Sequence, residues 1–166
     1  MKENLTTGQK LLRCIPLVAL PLAVGIISSL ITGDAMMHYG QMNKPPLAPP
    51  AWLFPIAWTI LYILMGIGSY LLFIANPTTG KGERSRWISL IIYFVQLIFN
   101  FCWSLFFFLG KMYLFSFIWL IIMWVMIIFL VFKSAKASML ASVMFMPYLL
   151  WCTFAAYLNL MAWILN

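Results

Sequence analysis

The sequence predicts an all-α fold, an integral membrane bundle of five transmembrane helices, on three observations. Hydrophobic side chains make up 65% of the chain and the mean hydropathy is +1.02, far above the values of soluble domains. The apolar runs are continuous, whereas a transmembrane β-barrel alternates apolar and polar residues over segments of about ten. Because a helical crossing takes about 20 residues, 166 residues accommodate about five. We therefore predict one membrane domain over residues 1–166, with the lipid bilayer as a partner.

The first predicted span covers about 11–33. It is longer than the apolar core of a signal peptide, about 7–15 residues, so we expect an uncleaved helix. Pro16 and Pro21 predict a kink or an irregular start. Small residues recur every four positions and predict a face for close helix contact. These are Gly25, Ser29 and Gly33.

Residues 34–50, DAMMHYGQMNKPPLAPP, form the long polar connection of the chain. Its four prolines cannot continue a helix, so we predict an ordered loop. Short polar segments separate the later apolar runs. The remaining predicted spans are about 51–75, 87–109, 112–132 and 139–164.

Lysine and arginine are distributed unequally between the two ends of these spans. Eight lie on the side of the N-terminus, and two, Lys44 and Lys111, lie on the other side. The positive-inside rule then predicts a multi-pass cell-membrane protein with a cytoplasmic N-terminus and an external C-terminus. Basic residues scattered at span ends are typical of membrane topology, so nucleic acid is not expected as a partner.

Titratable groups are scarce, which argues against a conventional acid–base catalytic site. No carboxylate falls in a predicted span, so a proton-coupled pump is also disfavoured. The lone histidine, His38, is more typical of a solvated or hydrogen-bonding residue than of a haem ligand. The carboxylates are Glu3, Asp34 and Glu83. The three cysteines show no CxxC spacing, so we expect no disulfide and no metal site; they are Cys14, Cys102 and Cys152.

Three spans instead carry neutral polar groups beside aromatic rings at helical spacing. The third span has Gln96, Asn100, Trp103 and Phe107 on one stripe. Two interpretations stay open here, interhelical hydrogen bonds and the wall of a ligand pocket. A flat, mostly apolar ligand fits the second interpretation, because it stacks on rings and needs few hydrogen bonds. The other stripes are Trp58, Tyr62, Met65 and Ser69 in the second span, and Trp151, Ala155 and Asn159 in the fifth.

Four motifs together resemble the TspO/MBR family, the tryptophan-rich sensory and translocator proteins. They are KPPLAPPAW at 44–52, FPIAWTILYILMG at 54–66, QLIFNFCWSLFFF at 96–108 and PYLLWCTFAAYLN at 147–159. The resemblance implies a five-helix bundle, often a homodimer, that binds protoporphyrin and other tetrapyrroles beneath the first loop. Animal members also bind sterols and benzodiazepine-type drugs. The pocket residues that the resemblance implies are Tyr39, Pro45, Pro49, Trp58, Tyr62, Asn100, Trp103, Phe107, Trp151 and Ala155.

The function that this resemblance implies is tetrapyrrole sensing, trafficking or stress response, with porphyrin as ligand and no other cofactor. We expect Gln96 and Asn100 to hydrogen-bond the ligand, and Lys44 and Tyr39 to meet its carboxylates. A light- and oxygen-dependent porphyrin-degrading enzyme and a transporter of lipophilic ligands remain alternatives. The chain departs from the family pattern at His38 and Leu47, where tryptophan is common. It also lacks the animal sterol motif in the fifth span and the small-residue dimer face in the third.

Overall fold

The computed structural model describes residues 7–166, apart from the side chains of residues 7–11, 13 and 36. Within this part of the chain the fold is 84% helical and has no strands, which confirms the predicted all-α class. Five helices are long and apolar enough to span a membrane. In chain order the helices are α1 Thr7–Thr32, α2 Ala35–Gln41, α3 Leu53–Ile74, α4 Gly80–Ser104 with a π-helical continuation Leu105–Leu109, α5 Tyr113–Ala135 and α6 Met139–Leu165.

Several boundaries differ from the expected ones for local reasons. The polar connection contains a short helix, α2, that its prolines do not exclude because they all follow it. Helix α4 begins at Gly80, ahead of the predicted 87, since the Thr79 hydroxyl caps it by accepting the Gly82 N–H at 3.1 Å. Helix α1 runs through Pro16 and Pro21 without a break, as membrane helices tolerate.

A tightly packed core fills one half of the bundle. Glycines allow close helix approach there: a Cβ at Gly66 would lie 2.5 Å from the Cα of Val18, and one at Gly68 would lie 2.9 Å from the Phe145 ring. We call this region the packed half. Its fully buried side chains are Met65, Leu72, Tyr93, Met123, Ile127, Leu130 and Phe145.

The other half ends under α2 and the proline-rich segment, residues 35–50, which we call the lid. At the opposite end, Arg86 donates to the carbonyls of Phe73 and Ala75 at 3.2 Å, and thereby caps α3. Arg86 also pairs with Glu83 at 2.7 Å. The orientation stays a prediction. Of the basic residues on which this prediction rests, Lys2 lies outside the described residues, as do the side chains of Lys10 and Arg13.

Candidate functional site: an aromatic cavity beneath the lid

A cavity of about 340 Å³ lies beneath the lid, among α1, α3, α4 and α6. This volume falls within the range of small-molecule sites. Aromatic rings form much of its wall. The ring centroids of Trp58 and Trp151 are 6.5 Å apart at 81°, and those of Trp103 and Phe107 are stacked at 5.3 Å. The cavity therefore offers aromatic faces in more than one plane.

Nine of the eleven residues predicted for the pocket line this cavity. They are Tyr39, Pro45, Trp58, Tyr62, Asn100, Trp103, Phe107, Trp151 and Ala155. Pro49 does not line it, because it lies behind Tyr39, whose hydroxyl donates to the Pro49 carbonyl at 2.9 Å. Gln96 also lies outside the lining, because it is fully buried below Asn100 on α4.

The floor of the cavity is a layer of hydrogen bonds between helices. Tyr62 donates to Asn100 Oδ1 at 2.7 Å, and Asn100 Nδ2 donates to the Tyr148 hydroxyl at 3.3 Å. Tyr148 in turn donates to Gln96 Oε1 at 2.7 Å. Gln96 Oε1 is therefore engaged by Tyr148, whereas Gln96 Nε2 is buried with no partner among the described residues, and a hydrogen bond from Gln96 to a ligand stays a prediction. Asn100 faces the cavity but already bonds protein groups through both its amide oxygen and its nitrogen. We call these four residues the polar layer.

Helix α1 contributes a wall that the sequence reasoning missed. Gly25, Ser29 and Gly33 line the cavity, as do Ser28 and Thr32. The Ser28 hydroxyl hydrogen-bonds the Ser104 hydroxyl and so holds α1 to α4. The spacing of the small residues indicates this face, but it predicts a face for helix contact rather than a cavity wall. Only part of this face makes a close helix contact: a Cβ on Gly25 would overlap the Tyr62 ring of α3.

The π-helical segment Leu105–Leu109 completes the wall at the end of α4. Gly110 donates to the Leu105 carbonyl at 2.9 Å, the i to i+5 bond of a π-helix. This wider turn allows Phe107 and its neighbour Phe108 both to face the cavity. No pattern in the sequence indicates the change of helix type, so Phe108 was not predicted.

The lid carries the polar and charged groups nearest to the cavity. Lys44 lines it with its Nζ 5.0 Å from the centre of the Tyr39 ring, a cation–π contact. His38 Nε2 hydrogen-bonds the Tyr113 hydroxyl at 2.9 Å. Burial, with the charge of Lys111, lowers the pKa of His38 and so favours its neutral form. Among the described residues, no three His, Cys, Asp or Glu side chains are grouped to hold a metal.

Comparison with known proteins assigns the family. The model of the TspO/MBR family matches residues 17–164, nearly the whole chain. The chain belongs to the TspO/MBR family. The cavity thus lies in the TspO/MBR domain itself, and the four motifs that carried the resemblance all fall within the matched residues.

Individual TspO/MBR relatives are similar over most of their length. The tryptophan-rich protein TspO of Chlorobaculum tepidum is 35% identical over 144 residues, 86% of this chain and 88% of that protein. The tryptophan-rich sensory protein of Cereibacter sphaeroides is 35% identical over 128 residues, 77% and 76% of the two chains. The translocator protein of Ovis aries is 32% identical over 133 residues, 80% and 77%.

Proposed function

We propose that this TspO/MBR protein binds a tetrapyrrole of the protoporphyrin type in the cavity beneath the lid, and acts in tetrapyrrole sensing, trafficking or stress response. The observation that carries the proposal is the composition of the cavity. Its walls are aromatic rings and small residues, and Lys44 is the charged residue among those that line it. Such a site favours a flat apolar ring with acidic substituents.

In the proposed complex the macrocycle lies against Trp58 and Trp151, with its carboxylates near Lys44 at the mouth. Trp151 offers a further contact, because its indole N–H is buried and has no acceptor among the described residues. An acceptor on a bound ligand would satisfy this donor after a small movement of the ring. The three interhelical hydrogen bonds of the polar layer leave stacking, rather than amide hydrogen bonds, as the main source of affinity.

Titration of the purified protein with protoporphyrin IX tests the proposal. Saturable quenching of tryptophan fluorescence is expected for the unmodified chain. A double variant Trp58→Leu/Trp151→Leu keeps apolar side chains but removes both rings, and we expect about tenfold weaker binding or more, from about 0.5–1.5 kcal/mol per aromatic contact.

Trp124→Leu is the matched control. Trp124 hydrogen-bonds Thr153 and lies outside the cavity lining, so its loss should leave the affinity unchanged. Non-saturable quenching of the unmodified chain, or equal affinities of the double variant and the control, would contradict the proposed site.

A further inference from the structure

Asn43 of the lid and the end of α6 are joined by three hydrogen bonds. The Asn43 backbone N–H donates to Asn166 Oδ1 at 2.9 Å, and Asn166 Nδ2 donates to the Asn43 carbonyl at 3.2 Å. The Asn43 side-chain amide donates to the Leu165 carbonyl at 3.1 Å. The two asparagines thus hold each other reciprocally, although they are 123 positions apart in the sequence.

A fourth bond ties the lid to the same helix. The Tyr157 hydroxyl donates to the Pro46 carbonyl at 2.7 Å. Helix α6 is itself fixed to its neighbours, because Asn159 accepts from Trp103 Nε1 and donates to the Tyr113 carbonyl, both at 2.9 Å. These bonds at Asn159 hold α6 to α4 and to Tyr113, so we expect that opening would move the lid rather than α6.

These bonds lie over the mouth of the cavity. Met42, Asn43, Lys44 and Pro45 line the cavity from the lid side, and Leu158 and Ala162 line it from α6. Separation of residues 42–46 from α6 would therefore open the cavity where its polar groups are. We call the contact between residues 42–46 and α6 the seam. Its four hydrogen bonds are solvent-exposed. Because exposed hydrogen bonds contribute little net free energy, the seam can open by thermal motion.

We propose that the Asn43–Asn166 pair is a clasp that controls ligand exchange, and that the ligand passes through the seam between the lid and α6 rather than between the helices. The inference rests on the proposed tetrapyrrole site. Asn43 and Asn166 are positioning residues: they hold the lid and do not recognise the ligand's ring. Loss of the clasp changes how fast the ligand enters and leaves more than how tightly it is held.

Rates of protoporphyrin IX binding and release test the clasp. Asn166→Ala removes both bonds that the Asn166 side chain makes to the Asn43 backbone. We expect both rates to rise about tenfold while Kd changes less than about threefold, which a merely structural loss of affinity would not produce. Asn76→Ala, at an exposed asparagine of the α3–α4 connection, is the matched control and should leave both rates unchanged. Rates of Asn166→Ala equal to those of the control would overturn the proposal.

A reversible cross-link tests the route. Asn43→Cys and Asn166→Cys are introduced in a chain whose Cys14, Cys102 and Cys152 are replaced by serine or alanine. The two thiols are joined by a short bis(methanethiosulfonate) reagent, which forms a disulfide to each cysteine with release of methanesulfinate and is cleaved by dithiothreitol. Cross-linking should slow protoporphyrin IX uptake and release at least tenfold, and cleavage should restore both rates. Unchanged rates in the cross-linked protein would show another route, such as the gap between α1 and α3, and would overturn the proposal.

A ligand-free measurement separates this inference from the proposed function. Amide hydrogen exchange at Asn43 should be faster in Asn166→Ala than in the unmodified chain, because the Asn43 N–H loses its acceptor. If protoporphyrin IX shows no saturable binding, the proposed function fails, whereas faster exchange still supports the clasp. Unchanged exchange at residues 42–46 contradicts the clasp whatever the ligand.

Discussion

The two halves of the bundle use the same helices in opposite ways. In the packed half, Met65 of α3, Met123 of α5 and Phe145 of α6 are fully buried in one hydrophobic core. In the lid half, α3 and α6 continue with rings that face an open volume of about 340 Å³, which α5 does not line. The polar layer around Asn100 and Tyr148 lies between the two. Apolar composition alone therefore does not determine which part of a membrane bundle is packed and which part contains a cavity.

Helix α1 makes the difference most visible. Its Val18 backbone packs directly onto Gly66 in the packed half. Farther along, Ser29 of α1 and Gly33, which follows the helix, are small enough to leave room and line the cavity. Close approach in one half and small side chains in the other are two uses of small residues in membrane helices, which otherwise gain little from apolar contact.

The largest expected effect comes from filling the hollow half. Ala155→Trp places a bulky ring where the cavity has space, so we expect protoporphyrin IX affinity to fall about a hundredfold, about 2.7 kcal/mol, with little change in Tm. Ile164→Trp, on the same helix at a side chain 58% exposed, is the control and should bind normally. Fluorescence titration and thermal unfolding measure both quantities. A large fall in Tm for Ala155→Trp would mean that the space is not there.

Gly66→Ala is expected to destabilise the packed half. The new Cβ would lie 2.5 Å from the Val18 Cα, which is backbone and cannot turn aside, so α1 must shift. Overpacking of this kind costs about 1–3 kcal/mol. Thermal unfolding in detergent should show a lower Tm, whereas Gly80→Ala, where nothing lies within 4 Å, should not. Equal Tm values for the two variants would contradict the close contact.

The five spans and most of the cavity residues could be predicted from the sequence, but the depth of each residue in the bundle could not. Continuous apolar runs predict five spans because the bilayer sets their length. Helical spacing places Trp58 and Tyr62 on one face, but it carries no information about depth. For that reason Asn100 and Gln96 could not be distinguished, although one lines the cavity and the other lies beneath it. The π-helical turn before Gly110 depends on tertiary contacts and leaves no periodic trace.

Asn100→Leu removes hydrogen bonds of the polar layer, which lies between the two halves. Tyr62 and Tyr148 would each lose a hydrogen-bond partner in the membrane interior, and we expect a loss of about 1–2 kcal/mol in the free energy of unfolding. Tyr62→Phe removes one of these bonds without leaving a buried hydroxyl, so a smaller loss is expected. Unfolding in a denaturing detergent measures both. A loss for Asn100→Leu no greater than for Tyr62→Phe would argue against a connected polar layer.

The smallest expected effect is on the lid and depends on pH. Since the pKa of His38 is lowered in the folded chain by burial and by Lys111, the unfolded chain binds a proton more readily as the pH falls through 6.5, the ordinary pKa of histidine. Stability is therefore highest above that pH and decreases slightly as the pH falls through it. His38→Gln should remove this part of the pH dependence of Tm. An increase in stability on acidification that disappears in His38→Gln would contradict the assignment.

The most direct test of the central claim is an experimental structure of the protein with protoporphyrin IX. We expect density for the macrocycle beneath the lid, in contact with Trp58 and Trp151, with its carboxylates near Lys44 and with the polar layer intact below it. Density on the lipid-facing surface of the helices, or within the packed half, would contradict the account.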